Sequence, residues 1–221
     1  MTTPKQGRAS GYYCKQAGQY HHGNLRCTLI AVAGEILEQE GVANLSLREV
    51  ARRAGVSQAA PYRHFADKEA VLAALASEGF RILVRDMTKA TSGVESSQQR
   101  IEALGRGYVS FATKHPCLLR LMFGGEIVDK EAYPELKEAS RAAYGLIDDA
   151  VARRLAEPDA AGFDAGTATI AAWALVHGLA TLLIDRQISC STTSSTGDEG
   201  LAADVSSILA NGLRGMFEAR G

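Results

Sequence analysis

Residues 46–65 read SLREVARRAGVSQAAPYRHF. Ser46 followed three residues later by Glu49 matches a capping box, which closes the N-terminus of a helix. The spacing predicts a short helix over about 46–54. Gly55 breaks it, because glycine reaches the left-handed conformation without a Cβ clash. Ser57 then opens a second short helix over roughly 58–65, with Pro61 near its first turn, where a missing N–H matters little. Leu47, Val50, Ala51, Val56 and Phe65 are placed to fix the angle between the two, and Ala51 is small where they approach. Two short helices joined through a glycine make a helix-turn-helix. Its second limb carries Ser57, Gln58, Ala59, Tyr62, Arg63 and His64, the small and hydrogen-bonding side chains that suit a major groove. A polar, solvated helix hairpin on any helical protein would read the same way up to this point.

Working outward, apolar residues recur at helical spacing between Gly, Pro and Ser breaks. Leu25, Leu29, Val32, Ile36 and Leu37 share a face over roughly 24–40, and Gly41 ends that helix. Further helices are expected near 67–90, 97–114, 117–123, 133–156, 164–187 and 200–218. His115-Pro116, Gly124-Gly125, Pro158 and the stretch 191–200 separate them. About nine helices and no strand make an all-α protein: an arm over 1–22, a three-helix domain over 23–68 whose helix-turn-helix at about 47–66 is the candidate for DNA binding, and a C-terminal helical bundle over 69–221, the candidate for regulation and dimerisation.

The 221 residues are 46% hydrophobic and 22% charged, which excludes a mostly disordered chain. A formal net charge of −1 excludes a polycation that coats nucleic acid indiscriminately. The charge is uneven: residues 1–70 hold nine Lys/Arg against six Asp/Glu, and the remainder fifteen against nineteen. A basic front on an acidic body suits a front that meets a polyanion.

Residues 24–72 resemble the DNA-binding domain of the tetracycline-repressor (TetR) family of bacterial transcription regulators. The carriers are Leu45-Ser46-Leu47-Arg48-Glu49-Val50-Ala51, Ala54-Gly55-Val56-Ser57, Tyr62-Arg63-His64-Phe65 and Asp67-Lys68-Glu69, in order and spacing. His21-His22-Gly23-Asn24-Leu25-Arg26 and Trp173-x-x-x-His177-Gly178 resemble a subgroup named for its Trp-His-Gly residues. The resemblance implies that Ser46 and Arg48 face a phosphate strand, and that Ser57, Gln58, Ala59 and Ala60 meet base edges, Gln58 pairing with adenine. It implies that Tyr62 and His64 hold backbone phosphates, with Arg63 beside them, and that Lys68 adds its charge at the next helix start. Ala60-Pro61-Tyr62 departs from the many members with a hydroxyl near Ala60, which puts one contact in doubt.

In the body, Tyr108, Phe111, Cys117, Met122, Phe123, Tyr144, Trp173 and His177 are types that can line an apolar cavity with polar tips. Each alone more often belongs to plain core. Residues 165–184 carry no Asp, Glu, Lys or Arg and are long enough to span a bilayer. Their Ala, Thr, Gly and His content, and flanks (Asp164, Asp185 and Arg186) without a Lys/Arg cluster, favour a helix buried on all sides in a soluble protein, a second subunit included. Trp173, Leu175, Leu179 and Leu182 there, with Leu201, Val205, Leu209, Leu213 and Met216 on the last helix, would form a four-helix dimer core.

Cys14, Cys27, Cys117 and Cys190 have no zinc-like spacing and read as reduced thiols. The loose group Cys14, His21, His22 and Cys27 is not expected to hold a metal, and no cofactor is expected. The N-terminus lacks a signal peptide's apolar run, so a cytoplasmic protein is expected. No GxSxG, HExxH, P-loop or GxGxxG occurs, so no enzyme is expected. The sequence therefore points to a homodimeric repressor that binds palindromic double-stranded DNA and is released by a small-molecule effector. The competing reading is an α-helical ligand-binding protein or enzyme without DNA affinity.

Overall fold

The computed structural model describes residues 25–160, 162–188 and 197–212. They form eight α-helices: α1 Leu25–Glu40, α2 Leu47–Ala54, α3 Lys68–Ala90, α4 Ser97–Lys114, α5 Pro116–Phe123, α6 Pro134–Leu155, α7 Ala165–Ile184 and α8 Gly197–Gly212. Single 3-10 turns lie at Val42–Asn44, Pro61–Arg63 and Lys130–Ala132. No β-strand occurs among the described residues. The expected arm over 1–22, Cys14, His21, His22, Cys190, Leu213 and Met216 lie outside the described residues.

One expected helix is absent, and this accounts for eight rather than nine. Residues 58–65 are a chain of turns around the 3-10 turn Pro61–Arg63. Pro61 has no N–H to give the Ser57 carbonyl, so the α-helical bond at that register cannot form. The Ala60 N–H closes on Ser57 instead at 2.9 Å, and the His64 N–H on Pro61 at 2.9 Å.

The chain divides into two compact units, one of residues 1–80 and 117–139, the other of 81–116 and 140–221. In the first, Leu29, Ile36 and Leu37 of α1 are buried, as are Leu47, Val50 and Ala51 of α2, and α1 packs on α2. Phe65, Val71, Leu72 and Leu75 are buried too, so the turn segment is anchored by its last residue. Glu38 accepts the Leu118 N–H at 3.3 Å, tying α1 to α5.

In the second unit α4 packs against α7 and α8. Gly107 on α4 is a requirement of that packing against residues of α3: a Cβ there would lie 2.9 Å from the Met87 Cα and 3.2 Å from the Asp86 carbonyl. Backbone atoms cannot swing aside, so only glycine fits. Arg154 is fully buried and holds Glu157 at 3.1 Å and Asp159 at 3.0 Å, pinning the end of α6.

Within the single chain α7 is buried on one side only, which leaves its other face to the second subunit that the expected all-round burial includes. Ile170, Leu175 and Leu182 are 58%, 38% and 44% exposed. Its inner face carries Ala168, Ala172, Val176 and Leu179, all buried. Buried Thr169 donates to Asp148 at 2.9 Å, a polar tie to α6. The helix is long and apolar enough to cross a membrane by length and composition alone. Its half-buried state and that polar tie are those of a helix packed in a bundle with one apolar face uncovered.

Candidate nucleic-acid interface and cleft

The expected reading surface lies wholly in the first unit. Ser46 caps α2, its Oγ accepting the Glu49 N–H at 3.2 Å. At the other end Gly55 has φ 67° and ψ 29°. The Val56 N–H returns to the Ala51 carbonyl at 3.1 Å and the Gly55 N–H to Arg52 at 3.3 Å, the paired bonds of a Schellman ending. The chain therefore leaves α2 in a defined direction, and Ser57, Gln58 and Ala59 emerge exposed. Pro61 and Phe65 are buried, whereas Tyr62, Arg63 and His64 between them are exposed, Tyr62 by 53%. Two apolar anchors thus hold a loop of polar side chains outward.

The cations around this surface differ in their engagements. Glu49 accepts from Arg52 at 2.6 and 2.8 Å and from Arg53 at 2.7 Å. Arg53 also pairs with Glu40. The Arg52 hydrogen bonds, and then those of Arg53, hold the Glu49 carboxyl down at about 2. Lys68 donates its ammonium to the Val42 carbonyl at 2.7 Å and is half-buried. Arg48 and Arg63 are exposed, as is Ser46. Ala60, half-buried, carries no polar group toward a partner. Glu49 with Arg52 and Arg53, three and four residues on, is a pairing that helical spacing signals, whereas Glu40 reaches Arg53 from the other helix, α1.

The residues expected to line an effector cavity divide between the units. Tyr108, Phe111, Tyr144, Trp173 and His177 belong to the second, Met122 and Phe123 to the first. Met122 packs against Gly79, and Phe123 stands edge-on to Phe80 at 5.4 Å. Phe111 is fully buried beside His115 at 5.3 Å. The other four join into one aromatic train. Tyr144 meets Trp173 edge-on at 6.2 Å, Trp173 lies 6.3 Å from His177, and the Tyr108 hydroxyl is 2.8 Å from His177 Nδ1. Burial pushes the Tyr108 phenol up, against the pull of a Trp173 hydrogen bond, and pushes the His177 imidazole down. Both groups are held neutral at physiological pH.

Next to that train is a narrow cleft of about 20 Å³, room for a single water, between α3, α4, α6, α7 and α8. Tyr108 lines it, with Ile101, Ile147, Val176, Leu175, Leu209 and Ser206; no charged side chain does. Of the eight residues named for such a cavity, Cys117 included, Tyr108 alone lines this cleft. Ser206 was missed, and Gly105 was its signal: a glycine inside a helix marks a close approach, and a Cβ there would meet the Ser206 Oγ at 2.0 Å.

Of the residues expected at a subunit interface, Leu175 and Leu182 are exposed. Trp173, Leu201, Val205 and Leu209 are half-buried, and Leu179 is buried. Ile208, in the same apolar stripe of the last helix, is 72% exposed. Among the described residues no cluster of three His, Cys, Asp or Glu is placed to hold a metal.

Two family descriptions match the chain: bacterial regulatory proteins of the tetR family over residues 29–75, and a tetracyclin repressor-like C-terminal domain over 101–205. The nucleoid occlusion factor SlmA of Aliivibrio fischeri is 30% identical over 102 residues, 46% of this chain and 52% of its own. The chain thus spans about half the length of that relative. The tetracycline repressor protein class C of Escherichia coli is 29% identical over 192 residues, 84% of this chain and 76% of its own. A solved structure from Rhodococcus sp. RHA1, described as a protein of unknown function, superposes with a TM-score of 0.75 at 37% identity, over 90% of this chain and all of its own.

Proposed function

Since this chain belongs to the TetR family of transcriptional regulators, we propose that it is a cytoplasmic, dimeric repressor that reads a palindromic DNA operator and leaves it when a small molecule binds. The observation that carries this reading is the turn segment 57–65. It is set by the Gly55 ending, pinned at Pro61 and Phe65, and directs Gln58, Tyr62, Arg63 and His64 to solvent. An exposed polar loop held so firmly costs conformational entropy, and duplex recognition is the use that such rigidity serves. Gln58 reads a base edge; Ser46, Arg48, Tyr62 and His64 set register on phosphates.

The second copy covers the exposed leucine and isoleucine face of α7 and α8. The effector wedges open the narrow uncharged cleft around Tyr108 and Ser206, whose lining suits an apolar molecule with one hydrogen-bonding group. Leu175 and Leu209 belong both to that cleft and to the expected subunit face. A ligand that favours one arrangement of the pair therefore shifts operator affinity, by about 5–150-fold for a coupling of ~1–3 kcal/mol.

Fluorescence anisotropy against duplexes from the DNA flanking the gene tests the reading. Nanomolar binding should weaken steeply with salt. Gln58→Ala should lower discrimination at one base pair by about 1–3 kcal/mol, while Arg63→Ala should weaken all duplexes alike. A protein with no duplex affinity at low salt would leave the helical ligand-binding reading in its place.

A further inference from the structure

The first unit contains a cleft of its own, about 210 Å³, between the start of α1, the Phe65 end of the turn segment, the first turns of α3 and the entry to α6. Ala70, Ala73 and Ala74 form its floor, and their short side chains are what leaves the room. Phe65 supplies an aromatic wall, and Arg26, Tyr133 and Glu135 stand at the rim. A void of about 150 Å³ accepts benzene, so a singly substituted ring fits.

The protein already seats a cation of its own in this cleft. The Arg26 guanidinium lies 3.1 Å from the Glu135 carboxylate and 5.6 Å from the centre of the Phe65 ring. A carboxylate beside an aromatic face is the pairing that planar cations favour. Arg26 and Glu135 are both substantially exposed, and an exposed pair of this kind is weak and open to exchange. The field at the rim has the same sign. Burial first, then the carboxylates of Glu69, Asp67 and Asp129, push the Tyr133 phenol up. The ammonium groups of Lys68 and Lys130, adjacent in sequence to these carboxylates, are engaged with the Val42 and Met122 carbonyls.

We propose that this cleft is a binding site for aryl cations, planar amidinium, guanidinium or amine groups on a single ring, which take the place of Arg26 on Glu135 and lay the ring against Phe65 and the alanine floor. The site is separate from the cleft around Tyr108, and occupancy does not depend on the operator reading. Because Phe65 adjoins His64, binding here also reaches the exposed turn segment.

The test is a calorimetric and NMR titration of the full chain with two probes of one shape and opposite charge, benzamidinium and benzoate, at fixed ionic strength. Benzamidinium should bind saturably and shift the Phe65 and Ala73 amides, while benzoate should do neither. Glu135→Gln should weaken benzamidinium about tenfold. Arg26→Ala, which vacates the seat, should tighten it about threefold. Both side chains are solvent-exposed, so neither change threatens the fold. Absence of benzamidinium binding, equal binding to Glu135→Gln, weaker binding to Arg26→Ala, or preferential binding of benzoate would each overturn the proposal.

Discussion

The unit carrying α1 and α2 and the unit carrying α4, α7 and α8 are built by different means. Around α2, nearly every residue performs a local task that one side chain alone can do. Ser46 caps, Glu49 gathers two arginines, Gly55 reverses the chain, and Pro61 tightens the next turn. In the second unit, long helices meet through many interchangeable apolar residues, and the few specific demands are spatial, as at Gly107 and Gly105. The first unit is specified by backbone chemistry and the second by volume.

This contrast can be broken at several points. The largest effect should come from Leu182→Asp, on the uncovered face of α7. Leu182 is 44% exposed in the single chain, so the fold should survive. A charge buried unpaired against a second copy costs about 3–5 kcal/mol, or more than ~100-fold in dimerisation. Sedimentation should show monomers, and operator binding should fall with it; an unchanged dimer would refute the assigned face.

A smaller effect separates the two modes of construction. Gly107→Ala should destabilise by about 1–3 kcal/mol through overpacking against backbone, with binding at the turn segment unaltered in the protein that remains folded. Ser46→Ala removes a cap and should cost about 1 kcal/mol while loosening the entry to α2, so duplex affinity should fall with stability. Thermal melts and anisotropy on the two variants give the comparison. If Gly107→Ala changed duplex affinity more than Ser46→Ala, the division of labour would be wrong.

The smallest effect is on pH. Burial holds the His177 and His115 imidazoles below the ordinary histidine range, Asp86 opposing this at His115. Below about pH 6.5 the unfolded chain takes up protons that the folded chain refuses. Stability is therefore complete above that value and falls as pH drops through it toward the folded values. A loss near 1 kcal/mol would appear as roughly 2–4 °C in Tm between pH 7.5 and 5.5. His177→Asn should flatten part of that slope, and a melt rising on acidification would contradict it.

The same contrast explains what could be read from the sequence. The ends of α2, the left-handed Gly55 and the exposed positions from Ser57 to His64 were legible because each follows from the chemistry of one or two neighbouring residues. The second limb reads as a helix from its residue types, but Pro61 leaves the Ser57 carbonyl without its helical donor, and the chain tightens into turns instead. The body was legible as helices but not as a cleft. Residue type marked Tyr108 and Phe111 equally, yet one lines the space and the other is fully buried core. Met122 and Phe123, close in kind to the others, fold into a different unit. Apolar periodicity tells which face turns inward, whereas a void depends on which small residues meet across helices.

Arg52 and Arg53 carry their own counter-ions in Glu49 and Glu40, joined to the same chain. A tethered counter-ion cannot be released into bulk solution when a phosphate arrives, so it contributes nothing to the entropy that drives indiscriminate association with nucleic acid. The front of the molecule can thus be dense in arginine without being adhesive. Electrostatic affinity is thereby left to the cations outside these pairs, Arg48 and Arg63 among them.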